Sequence, residues 1–293
     1  MKLKTLTLAL LLAASGAYAA TDTLSKVAET GRLTLAYRES SVPFSYIAGP
    51  GKPVGFSVEI ANAVAAEVKR TLNKPDIEVA WQAVTSANRI PLLTNGTIDL
   101  ECGSTTNNST RGKEVQFAIN HFYTGTRLLT KKSSGIRNYA DLAGKTVSTT
   151  TGTTNAQVMR KYNADKNLNM QLIFGKDHSD SMLLVEADRA VAFAMDDVLL
   201  FGLIATAKSP KDWAVVGDSL QVEPYACMLR KDDPKFKALV DKVIAGMMAS
   251  GEFERQYNRW FMSPIPPNNI NLQLPMSPQL KENLKVRSDK PAT

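Results

Sequence analysis

The feature that most constrains the fold of this chain is an alternation of strand and helix patterns that occurs twice. The first series opens with "GRLTLAYR", where apolar and polar residues alternate, and "GFSVEIANAVAAEVKRTLN", where Ile60, Val64 and Val68 have helical spacing. It continues through "DIEVAWQ", "RIPLLTNG" and "TIDLECG", and a second series runs from "GKTVSTT" to "RAVAFAM". Two βαβαβ series predict an α/β protein in which each half has a mostly parallel sheet flanked by helices.

The segments outside the two series are less regular. "FYTGTRLLTKK" fits one long strand, and "WAVVG" and "EPYACMLR" fit two further strands. The segment "DPKFKALVDKVIAGMMASGEFERQYNRWF" predicts one long helix or two shorter ones. From Ser263 the Pro- and Asn-rich "SPIPPNNINLQLPMSP" predicts an irregular tail on the surface.

The N-terminal sequence "MKLKTLTLALLLAASGAYAA" has the order of a secretory signal: two lysines, an apolar run and a small-residue triplet. We predict a cleaved signal peptide over residues 1–19. The alternative is an uncleaved membrane anchor, but the apolar run is too short to cross a hydrocarbon core of roughly 30 Å. The sequence therefore predicts an exported protein.

The net charge and the cysteine and histidine content indicate which partners, disulfides and metal sites are expected. The formal charge of +7 falls to +5 when Lys2 and Lys4 leave with the signal, and the remaining positive charge is scattered, so no nucleic-acid partner is expected. Cys102 and Cys227 are the two cysteines, and an even count in an oxidising compartment favours one disulfide, with two buried thiols as the alternative. No metal site and no cofactor is predicted, because the chain has two histidines and no C-x-x-C motif.

Polar clusters follow the predicted strands. They are "RESS", "TSANR" and "GSTTNNSTR" in the first series and "TTGTTN", "KDHSD" and "MDD" in the second. Ligands of open α/β sheets lie beyond the carboxyl ends of the strands, where these clusters fall. The sequence therefore predicts a ligand site built from both series.

Three arginines in these clusters indicate an anionic ligand. Arg38, Arg89 and Arg111 each follow a strand, and a guanidinium suits a carboxylate because it donates two parallel hydrogen bonds. An ordinary surface ion pair is the alternative for each alone. Arg89 follows a predicted N-cap, Ser86 or Asn88, where the helix dipole disfavours a cation, so a functional reason is favoured there.

The second series offers complementary groups. Gly152, Thr153 and Thr154 open a helix after a strand, which provides backbone N–H groups and hydroxyls for an anion, although helix capping alone could explain a threonine. Asp196 could cap a helix or hold an ammonium group. His178 could cap a helix, lie on the surface, or donate to a carboxylate when protonated.

No pattern indicates catalysis. The sequence has no G-x-S-x-G motif, no Gly-rich dinucleotide-binding turn and no carboxylate pair better explained by chemistry than by capping. No catalytic residue is therefore predicted, and the hydroxyls and arginines favour binding over turnover.

The segments "RESSVPFSY", "NRIPLLTNGTIDLECGSTTNNSTR", "GTTN" and "AFAMDDVLL" resemble the family 3 extracytoplasmic solute-binding proteins, the receptors of bacterial amino-acid ABC importers. The resemblance covers nearly all of Leu24 to Pro267. It implies a type II periplasmic-binding-protein fold with two lobes joined by two crossing hinge segments. Lobe one would comprise residues 20–125 and 222–293, and lobe two residues 126–221.

The resemblance also implies a periplasmic monomer that binds L-glutamate and L-aspartate and delivers them to inner-membrane permease subunits. Arg111, the segment from Ser104 to Thr106 and the helix start at Thr154 would hold the α-carboxylate, and Asp196 with Ser104 would hold the α-ammonium. The side-chain carboxylate would meet four residues: Arg38, Ser86, Arg89 and His178.

On this map Cys102 and Cys227 both lie in lobe one, which supports their pairing. A periplasmic dehydratase, known among solute-binding-like domains, and a sensor domain are the alternative functions.

Overall fold

The computed structural model describes residues 22–51 and 53–292, so the predicted signal peptide lies outside the described residues. The strands are β1 (Arg32–Tyr37), β2 (Ser40–Ser41), β3 (Ser45–Tyr46), β4 (Glu78–Ala83), β5 (Leu100–Glu101), β6 (Val115–Thr124), β7 (Thr126–Lys131), β8 (Thr146–Thr150), β9 (Gln171–Gly175), β10 (Ala192–Asp196), β11 (Trp213–Val216), β12 (Glu223–Arg230), β13 (Pro264–Ile265) and β14 (Ile270–Asn271). The helices are α1 (Thr23–Thr30), α2 (Phe56–Thr71), α3 (Arg89–Thr94), α4 (Thr154–Lys166), α5 (His178–Glu186), α6 (Asp197–Thr206), α7 (Pro234–Ala249), α8 (Glu252–Phe261) and α9 (Pro278–Val286).

Two five-stranded sheets organise these elements into two lobes. The strand order is β4-β1-β5-β12-β6 in lobe one and β11-β7-β10-β8-β9 in lobe two. In each sheet one strand runs against the other four, β12 in lobe one and β7 in lobe two. The predicted mostly parallel sheets and the repeated βαβαβ order are confirmed.

The antiparallel strand of each sheet is the one that has just arrived from the other lobe. β6 leads through Gly125 into β7, and β11 leads through residues 217–222 into β12. The prediction of one long strand across Gly125 was wrong, because the two halves belong to different sheets. A Cβ at Gly125 would collide with the side chain of Ser219 and the carbonyl of Gln221, so the crossing connections pack too closely for any side chain there.

The C-terminal part agrees with one of the two predicted alternatives in its helices and differs from the prediction in its tail. The helical pattern after Asp233 forms two helices, α7 and α8, because Gly251 between them has a φ of 73°. The tail is not irregular throughout, since β13 and β14 form a hairpin and α9 follows. Ser277 caps α9 and Pro278 occupies its first turn, a local signal for a helix start.

A hydrophobic core joins the two lobes. Leu199, Leu200 and Leu203 of α6 lie in the same buried cluster as the lobe-one aromatics. Gly202 lets α6 approach Val42 so closely that a Cβ would collide with the Val42 carbonyl. This packing places the N-terminus of α6, and with it the end of β10, against lobe one.

Cys102 and Cys227 form a disulfide, so the predicted pairing is confirmed and the two-thiol alternative was wrong. The bond joins the segment after β5 to β12 within one sheet. None of the helices in residues 22–51 and 53–292 combines the length and apolar character needed to cross a membrane.

Candidate ligand-binding site

A small cavity lies between the lobes. Its lining comprises Ser86, Arg89, Ser104, Thr106, Arg111, Thr153, Thr154, Asn155, His178, Met195, Asp196 and Leu199. Nine of the ten predicted site residues are in this set, and Arg38 is not.

The carboxyl ends of the parallel strands bring these side chains together, as the strand–helix pattern predicts. In lobe one the segment after β4 supplies Ser86 and Arg89, and the segment after β5 supplies Ser104, Thr106 and Arg111. In lobe two the segments after β8 and β9 supply Thr153, Thr154 and His178, and Asp196 is the last residue of β10.

Arg111 is held by backbone carbonyls of both lobes. It lies in a single 3₁₀ turn, and its Nη1 donates to the carbonyl of Thr106 at 2.9 Å while Nη2 donates to the carbonyl of Gly152 at 3.3 Å. Burial lowers the pKa of Arg111, and the nearby Glu223 opposes that shift. The Thr106 contact lies within lobe one, so it positions the guanidinium independently of the other lobe.

Arg89 is buried without such support. It is the first residue of α3, it is 2% exposed, and its Nε and Nη1 have no hydrogen-bond partner among the described residues. Burial, Arg111 and Arg38 lower the pKa of Arg89 to about 9, so it stays charged at neutral pH. Because an unpaired buried charge is costly, these donors are suited to an anion that enters the cavity.

Arg38 connects the lobes instead of lining the cavity. Its Nη2 donates to Oδ1 of Asp177 at 2.5 Å, and the hydroxyl of Ser40 donates to the other oxygen of Asp177 at 2.8 Å. Nε and Nη1 of Arg38 lack partners within the described part of the chain. Burial acts to raise the pKa of Asp177, but Arg38, His178 and Ser40 outweigh it and lower the pKa to about 2.

The sequence did not single out Asp177, because an aspartate directly before a helix is fully explained as a helix N-cap. It is the N-cap residue of α5, a position where Asp needs no further explanation. Its partners lie across the cleft, in residues remote in sequence, and only the closed arrangement of the two lobes reveals them.

His178 is neutral in this arrangement. Burial, Arg38 and Arg89 lower its pKa to about 3, although Asp177 favours the charged form. Its Nε2 lies 3.3 Å from Nη2 of Arg38, a donor, so Nε2 is the acceptor and Nδ1 carries the proton toward the Thr150 hydroxyl at 3.0 Å.

The hydroxyls around the cavity divide between structural and available groups. Thr153 is the N-cap of α4, since its side chain accepts from the backbone N–H of Ala156 at 3.2 Å. Thr154 therefore does not cap the helix, and its hydroxyl donates to Glu223 at 2.9 Å. The hydroxyl of Ser86 is buried and, among the described residues, has no partner.

Asp196 is not used as a side-chain cap either. It precedes α6 without a side-chain capping bond, and its oxygens instead accept from Asn155 at 2.7 Å and from the hydroxyl of Tyr225. Burial and the nearby Glu223 raise the pKa of Asp196 to about 8. An ammonium group beside it would restore the charged form.

The cavity thus combines buried guanidinium donors with a buried carboxyl group. No group of three or more potential metal ligands occurs in residues 22–51 and 53–292. This set suits a zwitterion that carries an additional negative charge.

The family model "Bacterial extracellular solute-binding proteins, family 3" matches residues 33–263. The chain belongs to this family. An L-glutamate/L-aspartate-binding protein of Pseudomonas aeruginosa is 49% identical over 273 residues, which cover 93% of this chain and 90% of that protein. A glutamate/aspartate import solute-binding protein of Escherichia coli is 49% identical over 272 residues, with the same two coverages.

Solved structures agree with the fold of this family member. The structure of the solute receptors for L-cysteine of Neisseria gonorrhoeae aligns with a TM-score of 0.73 at 24% identity, over 88% of this chain and 98% of that one. At that identity the likeness concerns the fold alone. The type II periplasmic-binding-protein architecture predicted from the sequence is confirmed.

Proposed function

We propose that this family 3 protein is a periplasmic receptor that captures L-glutamate or L-aspartate between its lobes and delivers it to the permease subunits of an ABC importer. The observation that carries the proposal is Arg89, a buried guanidinium in a small polar cavity whose Nε and Nη1 have no partner in the part of the chain that the structure describes. An additional anionic group on the ligand is the partner that satisfies both these donors and the charge of the guanidinium. The names of the two relatives at 49% identity agree with this class of ligand.

The two ends of an amino acid find suitable partners in the cavity. Arg111, the Ser104 to Thr106 segment and the helix start at Thr154 bind the α-carboxylate, and Asp196 binds the α-ammonium. Arg89 and Ser86 donate to the side-chain carboxylate, and the neutral ring of His178 lines the pocket beside them, with its two nitrogens facing Arg38 and Thr150. Arg38 adds positive charge beside this group, because its Nη2 lies 3.3 Å from Nε2 of His178 and its Nε and Nη1 have no partner among the described residues.

The lobes move as units about the two crossing connections when the ligand enters. We assign residues 20–125 and 222–293 to lobe one and residues 126–221 to lobe two. Contacts between the lobes, such as Arg38 with Asp177 and Arg111 with the Gly152 carbonyl, form on closure. Residues 1–19 direct export, and the mature protein acts as a monomer.

Calorimetric titration of the purified mature protein with L-glutamate, L-aspartate and L-glutamine tests the ligand class. We expect 1:1 binding of the two acids and much weaker binding of glutamine, since a neutral amide leaves buried guanidinium charge unpaired. Equal affinity for glutamine and glutamate would overturn the proposal. A parallel turnover assay with free amino acids and prephenate-like acids distinguishes a receptor from a dehydratase, because a receptor returns these compounds unchanged.

A further inference from the structure

The C-terminal segment lies outside the region matched by the family model, which ends at residue 263. Helix α9 anchors this segment, since its Leu280 is 1% exposed and belongs to the main core cluster. After α9 the chain turns at Arg287, whose φ is 52°, and residues 288–292 run back beside β6. We call residues 288–292 the strap.

Buried asparagines fix the strap to lobe one. Asn283 of α9 accepts from the backbone N–H of Ser288 at 2.8 Å and donates to the carbonyl of Asn120 at 2.7 Å. Asn120 in turn donates through its backbone N–H to the Ser288 carbonyl at 3.0 Å and through its side chain to the Lys290 carbonyl at 2.9 Å. The strap is therefore held along its length by side chains and not only by its own backbone.

The far end of the strap reaches the segment that carries the ligand site. The side chain of Asn107 donates to the Asp289 carbonyl at 2.7 Å and to the side-chain oxygen of Asn120 at 3.1 Å. The backbone N–H of Ala292 donates to the Asn107 carbonyl at 2.9 Å, and Ala292 pairs with Asn108. Asn107 is thus enclosed by the strap.

The residues on both sides of Asn107 hold Arg111. The carbonyl of Thr106 accepts from Nη1 of Arg111 at 2.9 Å, and the side chain of Asn108 accepts from the backbone N–H of Arg111 at 2.9 Å. The opposite side of the segment is fixed by β12, because the N–H of Asn107 donates to the carbonyl of Pro224 at 2.8 Å. Without the strap the Thr106 to Asn108 segment keeps its contacts with β12 and with the side chain of Asn120 but loses the Asp289 carbonyl and the Ala292 N–H that fix Asn107.

We propose that the strap and its asparagines are a positioning element of the ligand site, which holds the Thr106 to Asn108 segment so that Arg111 is aimed into the cavity. Asn107, Asn120 and Asn283 do not line the cavity, so they act through Arg111 and Thr106. The inference rests on the proposed function, since it takes Arg111 to be the group that binds the α-carboxylate. A site whose supporting residues are loosened loses affinity without losing its fold.

The test uses Asn283→Asp in the full mature chain, which keeps the side-chain shape but replaces the donor to Asn120 with an acceptor. L-glutamate affinity is measured by calorimetry well below the melting temperature, and hydrogen–deuterium exchange of the peptide covering residues 104–113 is measured without ligand. We expect Kd to rise on the order of tenfold, the scale of a lost buried hydrogen bond, and exchange in this peptide to accelerate.

Two controls separate positioning from general stability. Asp289→Asn removes the ion pair of Asp289 with Lys237 but keeps the carbonyl that Asn107 uses, so Kd should stay within twofold of the starting protein. Val240→Ala creates a cavity in the core of α7, so it should lower the melting temperature and leave both Kd and exchange at residues 104–113 unchanged.

A second variant keeps the test decisive if Asn283→Asp does not fold. Ala292→Pro deletes the N–H that donates to Asn107 and fixes φ at residue 292, and it should raise Kd a few-fold with faster exchange at residues 104–113. Unchanged Kd and exchange in the folded variants, beside a wild-type protein that binds glutamate, would overturn the positioning role. A wild-type protein that does not bind glutamate would instead overturn the proposed function, and the exchange data would still report on the strap.

Discussion

Arg111 and Arg89 are both buried cations in one cavity wall, yet the protein treats them differently. Arg111 donates to two backbone carbonyls, one from each lobe. Arg89 has Nε and Nη1 without partners among the described residues, and burial lowers its pKa to about 9. One guanidinium is supported by the fold, and the other depends on what enters the cavity.

This difference fits two kinds of recognition. A backbone-supported arginine can bind the α-carboxylate that every amino acid carries, because the Thr106 carbonyl of its own lobe holds it whichever amino acid enters. An arginine with unpaired donors discriminates between ligands, because a ligand without the matching anion leaves the charge buried and unpaired. The first arginine should therefore govern affinity in general and the second should govern selectivity.

Replacing Arg111 should have the largest effect. Arg111→Ala should weaken L-glutamate, L-aspartate and any residual L-glutamine binding together, by roughly 2 to 5 kcal/mol for a desolvated charge pair. Calorimetric titration with all three ligands measures this, and Lys113→Ala, an exposed cation in the same 3₁₀ turn, is the matched control. A loss confined to the two acids would mean that Arg111 meets the side chain instead.

Replacing Arg89 should change selectivity. Arg89→Ala removes the partner of the side-chain carboxylate, so glutamate and aspartate should lose roughly 2 to 4 kcal/mol while glutamine is spared or relatively favoured. The acid-to-amide ratio of dissociation constants is the readout, with melting without ligand to confirm the fold and the exposed Arg32→Ala as control. A preserved ratio would show that the side-chain pocket lies elsewhere.

The ion pair between Arg38 and Asp177 allows a test of lobe closure that is separate from the tests of direct ligand contact. Asp177→Asn keeps the shape of the side chain but removes the charge that pairs with Arg38 across the lobes. We expect a loss of roughly 1 to 3 kcal/mol for both acids, mainly as faster dissociation, because an uncompensated buried charge remains. Stopped-flow release of ligand measures the rate, and an effect only on the association rate would contradict the closure role.

Local sequence patterns account for most of the fold and for much of the site. Short-range signals reveal the strands and α2 through the spacing of their apolar residues, the end of α3 through Gly96, and the loops through the polar clusters after each strand. Nine of the predicted side chains line the cavity as a result. The disulfide could be predicted because Cys102 and Cys227 had no competing partner. Arg89 could be singled out because a cation opposes the dipole at its helix start.

What the sequence did not reveal depends on contacts between distant segments. The break at Gly125 was visible as a glycine in a strand pattern, but its meaning depends on the second connection passing beside it. Asp177, Asn155 and Tyr225 were missed because their partners lie in the other lobe or on another strand. The helix α9 was missed because its Ser-Pro start was read as part of a Pro-rich tail.

The smallest predicted effect concerns pH and the carboxyl group that accompanies the two arginines. Burial and Glu223 raise the pKa of Asp196 to about 8, so below that pH its carboxyl is mostly protonated, whereas an ammonium ligand favours the carboxylate. Glutamate affinity should therefore rise about fivefold from pH 7 to pH 8 and then level off, with close to one proton released per ligand at pH 7. Arg89, with a pKa of about 9, and His178, with a pKa of about 3, keep their charge states over most of this window.

Calorimetry in two buffers of different ionisation enthalpy measures the released proton, and Asp196→Asn should abolish both the release and the pH dependence. Proton uptake, or a pH dependence that persists in Asp196→Asn, would show that the ammonium group binds elsewhere and that the contrast between Arg111 and Arg89 must be assigned to a different orientation of the ligand.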